Sequence, residues 1–207
     1  MNQPESTNAG NPNRNRLFAA VSVLLGMAIA LTLAEWGLGQ YFQRVQSQTM
    51  DPGFMRYHAQ LGWSLSPGWT GEHQHYDYRA TYNVGPDGFR LQPELSSVDS
   101  DAPRIAVLGD SYTFGLGVAD DETFTAILNA RGEDQYLNYG VPGTSTDQHL
   151  LLLDALLSGR VPDQVLLVIY LPNDILDVTL DYPLQADQAK PRFQLQNGEL
   201  QLSLIHI

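Results

Sequence analysis

A serine hydroxyl placed directly after an apolar run is the most chemically suggestive feature of this sequence. Ile105-Ala106-Val107-Leu108 leads into Gly109-Asp110-Ser111-Tyr112-Thr113-Phe114-Gly115, so Ser111 stands where a buried strand would break into a turn. Ligands of open α/β sheets bind outside the carboxyl ends of the strands, and a glycine before the serine permits a turn sharp enough to expose Oγ. Two later apolar runs also end in polar or glycine-rich loops, Asn138-Tyr139-Gly140-Val141-Pro142-Gly143 and Leu171-Pro172-Asn173-Asp174. If the three runs are neighbouring parallel strands, their loops meet at one edge of the sheet. Ser111 would then supply a nucleophile, and a glycine N–H with the Asn173 amide would supply donors to a developing oxyanion. Each such donor is worth about 2.7–4 kcal/mol in the transition state. The implied chemistry is attack of a serine on a carbonyl. Asp110 and Asp174 adjoin the candidate site and are read as turn and loop hydrogen-bonding residues.

The elements that must position these residues follow from periodicity. From Arg104 onward strands alternate with helices, a pattern that calls for a parallel sheet covered on both faces. Residues 105–108 and 135–139 are expected as strands, and residues 165–170 as a third, fully buried one. A helix over 122–131 is expected behind Asp120 and Asp121, with Phe124, Ile127 and Leu128 on one face. A second is expected over 146–158, opened by Thr146 and Asp147, with Leu150, Leu153 and Leu157 as its core face and Gly159 as its stop. Residues 192–195 and 199–201 flank Asn197-Gly198, a strong hairpin signal. Upstream, residues 61–69 and 76–90 mix aromatics with Gly and Pro, with a turn at Pro86-Asp87-Gly88; they read as short strands packed on the edge of the main domain. Residues 94–103 read as a polar linker.

Composition narrows the function classes. A chain of 207 residues with 43% hydrophobic content suits one domain and an appendage. A net charge of -12, with 11 basic residues scattered singly, argues against nucleic acid as partner. The absence of cysteine excludes disulfides, thiolate metal sites and cysteine nucleophiles. His73 and His75 alternate along a strand-like stretch without a carboxylate cluster, too few ligands for structural zinc, and read as a solvated face. No metal or organic cofactor is implied. Residues 17–34 carry no charge, and the apolar pattern resumes past Glu35 with Trp36, Leu38, Tyr41 and Phe42. About 20 apolar residues cross a bilayer, so 17–42 reads as a single transmembrane anchor. Arg14 and Arg16 would keep residues 1–16, a short disordered tail, in the cytoplasm and place the remainder outside. The alternative is a signal peptide cleaved after Ala28-Ile29-Ala30 or Thr32-Leu33-Ala34, giving a secreted protein. Residues 43–103 then form a stalk and a β-rich accessory segment.

The three loops, in this order over about residues 104–175, resemble the GDSL-type or SGNH hydrolase family. With the anchor and the segments Leu61-Gly62-Trp63 and Asp87-Gly88-Phe89-Arg90, the chain is similar to the membrane-anchored bacterial members. The resemblance implies a flavodoxin-like three-layer α/β/α parallel sheet acting on esters without a cofactor. It also implies Ser111 as nucleophile, Gly140 as oxyanion glycine and Asn173 as oxyanion asparagine. Leu171 replaces the family's usual glycine two residues before the asparagine. The family's base, a histidine in an Asp-x-x-His motif, is not present. Only His206 follows the third loop, Ser203 stands three residues before it, and His149 lies within the second expected helix. Leu202-Ser203-Leu204-Ile205-His206-Ile207 is what a transposase-adapter end used in DNA library preparation encodes. Residues 202–207 are therefore expected to be foreign, and 104–201 to be a partial catalytic domain that folds poorly and is nearly inert alone. The expected activity is ester hydrolysis at O-acyl, for example O-acetyl, groups of a small molecule or glycan. An O-acyltransferase on envelope glycans and a non-catalytic anchored binding module are the alternatives.

Overall fold

The computed structural model describes residues 12–46, 49–159, 161–183 and 189–203. The chain divides into two compact units, residues 1–47 and 48–207. The first consists of helix α1, Pro12–Gln46. Its 35 residues at 1.5 Å each reach about 50 Å, beyond the ~30 Å hydrocarbon thickness of a bilayer. Leu17, Phe18, Leu24, Leu31 and Trp36 are all exposed, so the helix is apolar around its circumference. By length and composition its stretch Asn13–Gln43 suffices to cross a membrane. The helix starts before residue 17: residues 12–16, expected as part of a disordered tail, are helical, and proline is tolerated in a first turn. Residues 1–11 lie outside the described residues.

In the second unit, strands β1 (Thr49–Met50), β4 (Thr70–Gln74) and β5 (Arg79–Asn83) form an antiparallel sheet in the order β1-β4-β5. Strands β2 (Met55–His58) and β3 (Gly62–Leu65) pair as a separate antiparallel hairpin. Phe54, Trp63, Leu65, Tyr82 and Val84 of this region share one buried cluster with Phe114 and Val141 from beyond residue 104. The β-rich segment therefore contributes to a common core. His73, expected on a solvated face, is buried in β4, and its Nδ1 lies 3.1 Å from the Tyr82 hydroxyl and 3.3 Å from that of Tyr78. Tyrosine hydroxyls on the next strand supply the polar partners that make the burial tolerable.

A parallel sheet in the order β7-β6-β8 carries the loops of interest. β6 (Arg104–Gly109) is central, flanked by β7 (Gln135–Gly140) and β8 (Gln164–Leu167). Ile105, Ala106, Val107 and Leu108 are buried, as befits a strand covered on both faces. β8 departs from expectation. It is shorter than residues 165–170, and Val165, Leu166 and Leu167 are exposed; among the described residues β8 pairs on one edge only, and no helix covers these side chains.

Helix α2 is Ser111–Phe114, α3 is Phe124–Asn129, α4 is Thr146–Leu157 and α5 is Leu171–Asp177. α3 is shorter than expected, because Asp120–Glu122 forms a 3-10 turn and Thr123 Oγ1 accepts the Ala126 N–H at 3.1 Å as the cap. α4 opens with a capping box, in which Ser145 N–H donates to Gln148 Oε1 at 3.1 Å. Its buried face is Asp147, Gln148, His149 and Leu152, whereas Leu150 and Leu157 are exposed. Buried polar bonds, not the leucine stripe, orient this helix: Gln148 Nε2 donates to Leu61 O at 2.7 Å. Strands β9 (Arg192–Gln196) and β10 (Glu199–Ser203) form the expected hairpin, with Asn197 at φ 53° and Gly198 at φ 86° as a two-residue turn requires. The second unit is thus mixed α/β with a small parallel sheet.

Candidate active site

The nucleophile candidate is held by the abrupt change from β6 to α2. Gly109 passes so close to Thr113 that an added Cβ would stand 2.9 Å from Thr113 Cβ and 3.1 Å from Val168 O. Asp110 caps the turn, its Oδ1 accepting the Tyr112 N–H at 2.9 Å. Ser111 is the first residue of the single helical turn, which closes through Gly115 N–H to Ser111 O at 3.0 Å. Neither Ser111 Oγ nor Ser111 N–H makes a hydrogen bond among the described residues. The side chain borders a cleft of about 480 Å³, within the range of small-molecule sites. Asn173 from α5 lines the same cleft, so the first and third sequence loops do meet. Tyr112 and Tyr170 stack beside them at 4.2 Å and 27°.

Asn173 is placed by its own neighbours. Tyr170 precedes α5 as its cap residue, and Tyr170 N–H donates to Asp174 Oδ2 at 2.7 Å. Asn173 is buried, with Oδ1 lacking a partner among the described residues. Its amide stabilises the Asp110 carboxylate, as does the Tyr112 N–H, yet burial outweighs both and raises Asp110 above the usual carboxylate range. Asp174 is pushed to about 6, first by burial, against the stabilising Tyr170 N–H, with Asp110 and Asp177 adding repulsion. Three buried carboxylates, Asp110, Asp174 and Asp177, thus repel one another. Asp110 and Asp174 bond their local turns, as expected from sequence, and Asp177, which the spacing did not single out, adds to the like-charge crowding.

Gly140, the expected oxyanion glycine, is packed against the nucleophile turn. It ends β7 buried, and its N–H donates to Asn138 Oδ1 at 2.9 Å. A Cβ there would collide with α2, 2.7 Å from Thr113 C and 2.8 Å from Phe114 Cα. Glycine at 140 lets β7 close on the nucleophile turn. Three residues on, Gly143 has φ 77°, is half-buried, and its N–H makes no hydrogen bond among the described residues. Trp63 Nε1 steadies this loop by donating to Pro142 O at 3.1 Å.

No histidine lines the cleft among the described residues. His149 is buried in α4 with Nε2 3.0 Å from Thr144 Oγ1, and burial lowers it to about 4, so it is neutral at pH 7. His206 lies outside the described residues. No group of three His, Cys, Asp or Glu side chains among the described residues could hold a metal ion. Of two buried cations, Lys190 was not singled out by sequence, and Arg90 only as part of the segment Asp87-Gly88-Phe89-Arg90. Lys190 pairs with Asp147 across 43 residues, and Arg90 enters the nucleophile turn from the β-rich segment. Neither lies in a spacing pattern that announces a partner.

No protein-family model matches this chain, and no curated protein matches it.

Proposed function

We propose that this protein is an ester hydrolase of the SGNH type, with Ser111 as nucleophile. The observation that carries the proposal is the shared cleft of Ser111 and Asn173: an unbonded hydroxyl at a strand end beside a buried amide. Ser111 Oγ bonds to the ester carbonyl carbon while its proton passes to a base. The carbonyl oxygen becomes an oxyanion, received by Ser111 N–H and the Asn173 amide. The Gly140 N–H, the glycine donor that the resemblance implies, is held by Asn138 Oδ1 at 2.9 Å and would have to exchange that partner for the oxyanion. The C–O bond to the alcohol then breaks, the alcohol leaves with the proton, and water reverses the sequence to release the acid. No histidine lines the cleft among the described residues, and His149 is buried with its Nε2 against Thr144 Oγ1.

The strand order β7-β6-β8 supports a flavodoxin-like sheet, whose first three strands run 2-1-3. α1 supports an anchored protein, with the catalytic unit exported and an O-acylated envelope or extracellular molecule as substrate. The test is turnover of a soluble aryl acetate by the protein. Ser111→Ala is expected to abolish turnover, and Asn173→Ala to lower it by about 10²–10³. Wild-type turnover by Ser111→Ala would refute the assignment.

A further inference from the structure

The β-rich segment reaches the nucleophile turn through one side chain. Arg90 is 3% exposed, and its guanidinium makes four hydrogen bonds. Nη1 donates to Phe114 O at 3.0 Å and Gly115 O at 2.7 Å, Nη2 to Val118 O at 2.7 Å, and Nε to Asp120 Oδ1 at 2.8 Å. The rings of Tyr82 and Phe114 lie 4.7 and 4.6 Å from Cζ. Phe114 and Gly115 stand at the C-terminal end of α2, where a helix leaves carbonyls without partners and favours a cation. Gly115 ends the helix at φ 82°, and Gly115, Leu116 and Val118 continue as a wall of the cleft beside Ser111. The same wall is tied twice more to β5, by Gly117 N–H donating to the Tyr82 hydroxyl at 2.8 Å and by Asn83 Nδ2 donating to Asp120 Oδ2 at 2.6 Å.

We infer that Arg90 is a positioning residue for Ser111, fixing the far end of the one-turn helix that begins with the nucleophile and the cleft wall that follows it. This rests on the reading of Ser111 as nucleophile. A helix of four residues has no stability of its own, so its direction is set by what grips its two ends. Asp110 grips the first and Arg90 the second. A planar fork satisfies three carbonyls and a carboxylate together; a lysine ammonium is a point charge and cannot reproduce the pattern. The β-rich segment is on this account part of the catalytic apparatus. A displacement of the nucleophile by 1 Å costs on the order of 10² in rate.

The experiment compares wild type with Arg90→Lys by two measurements on folded protein. Amide hydrogen exchange at Gly115, Leu116 and Val118 should quicken by roughly tenfold or more, while exchange in β6 is unchanged. Fluorophosphonate labelling of Ser111 should lose roughly 10² in its saturating rate with little change in half-saturating concentration, a split that a general loss of stability does not produce. Wild-type exchange and labelling in folded Arg90→Lys would overturn the inference. If that variant does not fold, Asp120→Asn, which weakens the Arg90 Nε anchor together with the Asn83 tie, should show smaller changes of the same sign that exceed those of Asn83→Ala, which removes the Asn83 tie alone; values no larger than those of Asn83→Ala overturn it. Absence of labelling in wild type would instead refute the nucleophile reading, and exchange would still decide whether Arg90 fixes the turn.

Discussion

At the scale of single residues, burial governs the chemistry around Ser111 more than charge does. His149 and Asp174 illustrate this with opposite signs. His149 falls from 6.5 to about 4 on burial, so the folded state binds its proton less well than the unfolded chain. Its contribution to stability is full above pH 6.5 and is lost as pH falls toward 4. Asp174 rises from 3.8 to about 6, so its contribution is full below 3.8 and is lost as pH rises toward 6. Between pH 4 and 6 the two slopes oppose each other. Thermal melts across that window should show little pH dependence from this pair in wild type. The melting temperature should climb with pH more steeply in Asp174→Asn, and fall with pH relative to wild type in His149→Gln. Parallel profiles for all three proteins would contradict the assignment. That Ser111 and Asn173 share a cleft was legible, because strand-end loops of a parallel sheet meet at one edge. That the Gly140 N–H is bonded by Asn138 was not, because it depends on packing that residue spacing does not display.

At the scale of elements, alternation of strand and helix was legible from hydrophobic period, as β6, α4 and the β9-β10 hairpin show. Which face each element buries was less so. In α4 the leucine stripe suggested an apolar core face, yet Asp147 and Gln148 are buried against the distant partners Lys190 and Leu61, and His149 is buried against the local Thr144 hydroxyl. The strongest of these contacts is the ion pair of Lys190 with Asp147, whose side chains are 0% and 3% exposed. Asp147 also accepts the Ser145 hydroxyl at 2.7 Å and the Gln148 N–H at 2.9 Å. Removing one member of a buried pair strands the other charge, at a cost of about 3–5 kcal/mol. Lys190→Met is expected to lose that much in urea unfolding, and Asp147→Asn in the same chain should recover part of it. A loss below about 0.5 kcal/mol would mean that the pair is solvated in solution.

At the scale of the whole molecule, the parallel sheet is unevenly covered. β6 is buried on both faces, whereas β8 exposes Val165, Leu166 and Leu167 and pairs only with β6 among the described residues. Exposed positions tolerate charge and buried ones do not. In the chain of 207 residues Leu166→Glu should change unfolding free energy by no more than about 0.5 kcal/mol, while Val107→Glu should prevent folding. A loss of several kcal/mol from Leu166→Glu would show that another segment lies on β8. The sequence reading had placed this strand deep in the core, since an apolar run reports an affinity for burial and not the presence of a cover. The central claim remains chemical, that Ser111 attacks a carbonyl or its phosphorus analogue. It is tested most directly by treating the protein with a fluorophosphonate and mapping the adduct by peptide mass spectrometry. The account predicts one adduct, on the peptide carrying Gly109-Asp110-Ser111, absent from Ser111→Ala. An adduct elsewhere, or equal labelling of both proteins, would contradict it.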